Sequence, residues 1–215
     1  MLLTSKRDRP EGWTLISGLW SPFYIQLRLV SSFPDTLSKV GQAMAQMIKE
    51  EAPHINKLVG IAFAGVPIAT AVSLESKIPA VHTRKLTGVK SEEDLQKMLQ
   101  SYGQHTLVEG LLEDGDALCL VDDLVTGMDS KLVARGQVIT ELKKRGISDF
   151  TVDDIAVVVD RQQGARQRAK ELKVNLHSLI DLVDEGLSLI REKMSDEEFV
   201  LVSEYLADPS SIKKP

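Results

Sequence analysis

Three stretches of the chain, KLVGIAFAG (57–65), ALCLV (117–121) and IAVVVD (155–160), are near-continuous apolar runs without polar alternation. A strand of that kind has to be covered on both faces, the environment of a mostly parallel sheet layered between helices. IPAVHTR (78–84) reads as a further strand of the same type. The segments around these runs supply the helices. DTLSKVGQAMAQMIKEEA repeats Leu37, Val40, Met44, Met47 and Ile48 at helical spacing, and VPIATAVSLES carries Pro67 in a first turn, where a missing N–H is no loss. SKLVARGQVITELKKRG (130–146) has Leu132, Val133, Val138, Ile139 and Leu142 on one stripe, then Lys143, Lys144 and Arg145 before a Gly146 stop. Strands alternating with helices predict an α/β fold with a doubly wound sheet, in which ligands sit at the carboxyl ends of the strands.

Two segments break the alternation. Between Arg84 and Thr106 the connection is too long for an ordinary loop and reads as a lid, 86–105. Inside it Ser91 and Asp94 have capping-box spacing ahead of Leu95, Met98, Leu99 and Tyr102, so the lid is expected to carry its own helix, with Gly103 as its stop. Near the carboxyl end, Ser195 and Glu198 repeat that signature and predict a helix over 195–207.

At 215 residues the chain suits one domain. A net charge of -5 gives no electrostatic footprint for nucleic acid or an anionic membrane surface, so any bound anion has to meet local donors. Cys119, the single cysteine, has no partner for an internal disulfide and lies in an apolar run, which fits a core residue in a reducing cytoplasm. No apolar run approaches the roughly 18 residues of a membrane span, and the start MLLTSKRDRPEGW is too short in apolar residues for a signal peptide. The four histidines and Cys119 show no metal-ligand spacing.

The chemistry concentrates in LCLVDDLVTGMDS (118–130). Its turn, Thr126, Gly127, Met128, Asp129 and Ser130, lies between a strand end and a helix start. Free N–H groups and the positive end of the helix dipole make that place a cradle for phosphate. Asp122 and Asp123, at the end of the strand, are suited to accept hydrogen bonds from the hydroxyls of a sugar whose phosphate fills the turn. They are also suited to hold Mg2+ through water.

LVDDLVTGMDS resembles the phosphoribosyl-diphosphate signature of type I phosphoribosyltransferases. Three more segments, in the same order, are similar to orotate phosphoribosyltransferases: SGLWSPFYIQLR (17–28), the RK…SYGQHTLVEG lid with its return strand, and VVVDRQQGA (157–165). The resemblance covers Trp13 to about Leu182. It implies transfer of the phosphoribosyl group to orotate, giving orotidine monophosphate and diphosphate for UMP synthesis, with Mg2+, under an amino-terminal hood (1–34), in a homodimer. It puts Asp122 and Asp123 on the ribose, and Arg84, Lys85 and the Ala64, Gly65, Val66, Pro67 turn at the pyrophosphate. Arg161 falls at the orotate ring or carboxylate, Phe23 and Tyr24 along the base, and Thr126 beside it.

The chain departs from the family pattern at Ile16 and at Gln100, where lysines are expected, with Lys90 and Lys97 elsewhere in an expanded lid. Met128 takes the place of a glycine, which predicts a turn shifted onto Gly127, and Trp20 stands where a small or polar residue is common. Alternative readings follow from the lost charges: an active orotate enzyme, an enzyme of this fold using another base, or a regulator that binds phosphoribosyl diphosphate or a nucleotide without turnover.

Overall fold

The computed structural model describes residues 1–15, 20–89, 91–99, 105–210 and 212. The amino-terminal part consists of short strands, β1 (Leu2–Thr4), β2 (Trp13–Thr14), β3 (Trp20–Ser21) and β4 (Phe23–Ile25). β1 pairs with β4 and β2 with β3, both antiparallel. After α1 (Pro34–Glu51), the main sheet begins with β5 (Lys57–Gly60), followed by α2 (Gly65–Ser76), β6 (Ala80–Thr83), α3 (Glu92–Leu99) and β7 (Val108–Glu109). Then come β8 (Asp116–Val125), α4 (Asp129–Lys144), β9 (Phe150–Asp160), α5 (Ala165–Glu171), β10 (Asn175–Asp181), α6 (Leu187–Ile190) and α7 (Asp196–Ala207). The six-stranded sheet runs β10-β9-β8-β5-β6-β7, with only the β6–β7 pair antiparallel.

The apolar runs behave as the sequence predicts, because successive residues of each strand feed opposite layers. Cys119, Val121, Ala156 and Val158 join Met44, Ile48, Ile68, Val72 and Val202 on the α1, α2 and α7 side. Leu118, Leu120, Ile155 and Val157 join Val138, Leu142 and Ala165 on the α4 and α5 side. Cys119 is fully buried, and burial pushes its thiol far up, so it serves as a core residue.

Strand limits differ from the sequence expectation: β6 is shorter than 78–84, and β9 begins at Phe150, five residues before the expected start. β5 stops at Gly60: after one more bond to β8, from Ile61 N–H to Val121 O at 2.9 Å, the chain turns through the cis Ala62–Phe63 peptide into α2. β8 runs on through both aspartates to Val125, because Asp122 and Leu124 stay in register with Val157 and Val159 of β9. β10 is an edge strand of mixed polarity, which no apolar run announced.

The predicted lid helix forms as α3, capped by reciprocal bonds between Ser91 and Asp94, each 3.1 Å. Leu95 is fully buried against α4, where a β-carbon added at Gly136 would lie 3.0 Å from Leu95 Cδ2. Both stems of the segment are tied to α4: Gln137 Nε2 donates to Arg84 O at 2.8 Å and Leu107 O at 2.7 Å, and Glu141 accepts from Leu107 N–H. α7 carries its predicted cap, with Ser195 and Glu198 bonded in both directions. Glu198 also accepts from Thr4 Oγ1 at 2.6 Å, so the last helix clamps the first strand.

A partly buried polar network joins α1 to the early part of β9. His177 lies between Glu51 (2.8 Å) and Asp154 (2.9 Å), while Asp154 also meets His54 and Asn175. The Asp154 bond, and then Glu51, raise His177 above its ordinary 6.5 despite burial. Burial raises Asp154, but its bonds to His177, His54 and Asn175 outweigh that and hold it below the ordinary 3.8. A raised histidine stabilises fully below 6.5 and loses that contribution as pH climbs through its folded pKa. A lowered carboxylate stabilises above 3.8 and loses its contribution as pH falls through its folded pKa. Thermal denaturation is therefore expected to show a falling midpoint on the alkaline side of 6.5, and His177→Gln is expected to flatten that limb; an unchanged limb assigns it elsewhere.

Candidate active site

The loops that follow β5, β6, β8 and β9 open at one end of the sheet, the carboxyl end. Strand order sets them side by side as 161 onward, 126–130, 61–64 and 84–85. Three strand spacings separate the outer two, a span of about 14 Å. The 126–130 turn, the acidic pair, the 61–64 turn and Arg161 thus lie in a row.

Thr126, Gly127 and Met128 link β8 to α4. The expected shift onto Gly127 does not occur: neither it nor Met128 has positive φ, and Met128 (φ -93°) is buried in the α4-side core. A methionine fits because its side chain packs inward while its backbone stays in the ordinary right-handed region. Asp129 and Ser130 open α4 and are exposed. Among the described residues the Thr126 and Ser130 hydroxyls make no hydrogen bond, so both remain available beside the helix N-terminus.

The two acids differ. Asp122 is 7% exposed, with Oδ2 accepting from Lys131 Nζ at 2.7 Å and Oδ1 from Asp123 N–H at 2.9 Å. Asp123 is half-buried, with Oδ1 accepting from Leu124 N–H at 2.8 Å and Oδ2 without a partner among the described residues. Burial, then the Asp122 charge, push Asp123 up to about 6, against the pull of Lys131, the Leu124 N–H and Arg28. Asp122 is thus the more internal of the two, with a bond to each oxygen, while Asp123 keeps an oxygen without a partner among the described residues.

Lys131 was not singled out in the sequence, although a lysine in the first turn of α4 opposes the helix dipole and is a signal of its own.

On the pyrophosphate side, Gly65 and Val66 belong to α2, and their N–H groups are used within the turn, on Ile61 O and Phe63 O. Phe63 and Ala64 are left with open N–H groups among the described residues. Phe63 is 72% exposed, and Lys85 Nζ lies 5.9 Å from its ring centroid. Arg84, also exposed, faces Glu109 at 3.6 Å. Ile16, Gln100 and Lys90 lie outside the described residues; Lys97 is exposed and paired with Glu93 along α3 at 2.7 Å.

Arg161 follows β9, its N–H bonded to Val125 O at 3.0 Å, next to the phosphate turn. It is 3% exposed, and its Nε and Nη2 are buried without hydrogen-bond partners. Burial lowers its pKa to about 10, so it remains a cation at neutral pH. Its guanidinium lies 4.4 Å from the centroid of Phe23, which packs edge-on against Tyr205. Fully buried Phe23 is therefore the floor beneath Arg161, and Tyr24 stacks on Trp13. Trp20 has a structural explanation: its indole donates to Glu11 O, and its carbonyl accepts from Tyr205 Oη.

Among the described residues no helix is long and apolar enough to cross a membrane. None of them forms a group of three or more His, Cys, Asp or Glu able to hold a metal ion unaided.

No family model matches the chain. It is 32% identical over 166 residues to the orotate phosphoribosyltransferase of Methanocaldococcus jannaschii, covering 77% of this chain and 82% of that protein. The orotate phosphoribosyltransferase of Caenorhabditis elegans is 29% identical over 197 residues, covering 91% of this chain and 78% of that one. Among solved structures, Leishmania donovani UMP synthase superposes with a TM-score of 0.72 at 25% identity, covering 91% of this chain and 38% of the synthase. Orotate phosphoribosyltransferase from Aeropyrum pernix superposes at 0.62 and 23% identity, covering 84% of this chain and 88% of that one. With these likenesses added to a strand-to-helix turn, an acidic strand end and a buried arginine at the carboxyl end of one sheet, the chain belongs to the orotate phosphoribosyltransferase family, within the type I phosphoribosyltransferases.

Proposed function

We propose that this chain joins orotate to C1 of phosphoribosyl diphosphate, forming orotidine monophosphate for UMP synthesis and releasing diphosphate. The observation that carries the substrate is Arg161, a buried guanidinium whose Nε and Nη2 are left unpaired beside the phosphate turn. Leaving such donors dry is costly, and a planar carboxylate or ring carbonyl satisfies the fork.

The reaction breaks the bond from C1 to the pyrophosphate oxygen and forms one from C1 to the orotate nitrogen, whose proton is lost. The sugar passes through an oxocarbenium-like cation, so water has to be kept out. Thr126 to Ser130 hold the ribose 5-phosphate, and Asp123 orients the ribose hydroxyls. The open N–H groups of Phe63 and Ala64, with Arg84 and Lys85, stabilise the departing pyrophosphate.

The donor set suits Mg2+ held through water, since Asp123 offers one carboxylate oxygen and substrate phosphates supply others. When bound, the ion adds positive charge at the pyrophosphate. The reading extends to a cytoplasmic homodimer, supported by the buried free Cys119 and by exposed Leu74 and Leu111 outside the site.

The test mixes protein, Mg2+, phosphoribosyl diphosphate and orotate, follows loss of orotate absorbance, and repeats the run with chelator. Turnover that stops with chelator is expected. Bound substrates without turnover would sink the enzymatic reading. Sedimentation equilibrium checks the dimer, with a mass of twice 23.7 kDa expected.

A further inference from the structure

A buried amide on α4, the helix that opens at the 126–130 turn, reaches across to the end of β6. Gln137 is 3% exposed, and its Nε2 donates to Arg84 O at 2.8 Å and to Leu107 O at 2.7 Å. Both partners are carbonyl oxygens, so the nitrogen of the amide has to face them, and its two hydrogens are then both used. Arg84 O belongs to the peptide between Arg84 and Lys85, so this one side chain orients the plane from which both cations branch.

The neighbouring bonds extend the tie in two directions. Arg84 N–H donates to Leu107 O at 3.0 Å, and Glu141, one turn further along α4, accepts from Leu107 N–H at 2.8 Å, so Leu107 is itself fixed to the helix. Thr83 Oγ1, just before Arg84, accepts from Ala62 N–H at 3.1 Å and joins the end of β6 to the 61–64 turn.

We propose that Gln137 is a positioning residue for the leaving diphosphate: by holding the peptide between Arg84 and Lys85 against α4, it sets the spacing of the two cations from the turn where α4 begins. This rests on the reading of the site as one for phosphoribosyl diphosphate, and it names what keeps the two phosphate ends of that substrate in register. Strand order explains the need for a tie. β5 lies between β6 and β8, so the cations and the 126–130 turn share no ladder bond. The Arg84 and Lys85 side chains are exposed, and their neighbours, Glu109 at 3.6 Å and the Phe63 ring centroid at 5.9 Å, are too loosely held to fix the backbone.

Gln137→Met keeps the length of the side chain and removes both donors. Arg84 O then loses its bond from α4, while Leu107 O keeps the one from Arg84 N–H. Calorimetric titration with Mg2+ compares inorganic diphosphate, which meets only the leaving-group end, with orotidine monophosphate, which has the 5-phosphate and the base but no diphosphate. The Kd for diphosphate is expected to rise about tenfold in Gln137→Met, and that for orotidine monophosphate to stay within about twofold of the parent protein. Steady-state kcat/KM for phosphoribosyl diphosphate is expected to fall about tenfold or more. A purely structural role lowers the melting midpoint without separating the two ligands.

An unchanged Kd for diphosphate in folded Gln137→Met overturns the proposal, as does a loss equal for both ligands or an unchanged kcat/KM. If Gln137→Met does not fold, Gln137→Asn, whose amide stops one methylene short of both carbonyls, decides by the same comparison. Failure of the underlying site reading is distinct, since parent protein would then bind neither ligand, and the inference would fall with it.

Discussion

Replacing Arg161 with methionine is expected to abolish useful orotate binding and, at the same time, to raise the melting temperature. The guanidinium is 3% exposed, and two of its nitrogens have no hydrogen-bond partner. In the free protein that arrangement is a penalty, visible in the depression of its pKa to about 10. The stacking on Phe23 returns only part of it, of order 1–2 kcal/mol. Methionine fills similar volume without an unsatisfied donor, so the free protein is expected to gain roughly 1–3 kcal/mol. Orotate loses two charge-assisted hydrogen bonds, roughly 2–4 kcal/mol or about 30- to 1000-fold in Kd. Differential scanning calorimetry and orotate titration in the presence of phosphoribosyl diphosphate measure the two halves. A variant that melts lower, or that binds orotate as before, removes Arg161 from the base site.

The second large effect is at Gly65, where Ala is expected to damage stability severely. A β-carbon built there would lie 2.1 Å from Val121 O and 3.1 Å from Asp122 Cα, both backbone atoms of the central strand β8. Val121 O is already the acceptor for Ile61 N–H. β8 cannot retreat, because β5 and β9 hold it on both sides. The start of α2 has to back away instead, and with it the 61–64 turn. Overpacking of this kind typically costs about 1–3 kcal/mol, and a clash with fixed backbone belongs at or above the top of that range. Urea denaturation of Gly65→Ala checks it; a loss under about 1 kcal/mol would show that α2 slides freely over β8.

Much of this architecture was readable beforehand, for physical reasons that also explain the gaps. The apolar runs of β8 and β9 are long enough to demand burial on both faces, and they form the centre of the sheet. The capping boxes at Ser91 and Ser195 are local devices, and both helices start where those residues put them. The hood strands are two or three residues long, too short for any periodicity to register. The end of β8 is not legible in the sequence because charge normally marks the exit from a core. Here ladder pairing to β9 and the Lys131 partner keep Asp122 inside.

Within the site, a motif could point to Asp123, Arg161 and the phosphate turn. It could not show that Phe23 would support Arg161 from below, since that depends on the hood folding back against Tyr205 of the last helix. Nor could sequence separate the surroundings of two adjacent aspartates. That difference arises from a lysine nine positions away in sequence, brought beneath them only when the turn closes.

The clamp between the two ends of the chain bears on how such a protein is born. Thr4 bonds to Glu198 and Trp20 to Tyr205, across 194 and 185 residues. Synthesis runs from the amino end, so Phe23 leaves the ribosome long before the tyrosine that braces it has been made. Strands β5, β8 and β9, which lead into the 61–64 turn, the 126–128 turn and Arg161, all emerge earlier than α7. The brace that Tyr205 gives Phe23 under Arg161 is therefore complete only when the final helix docks.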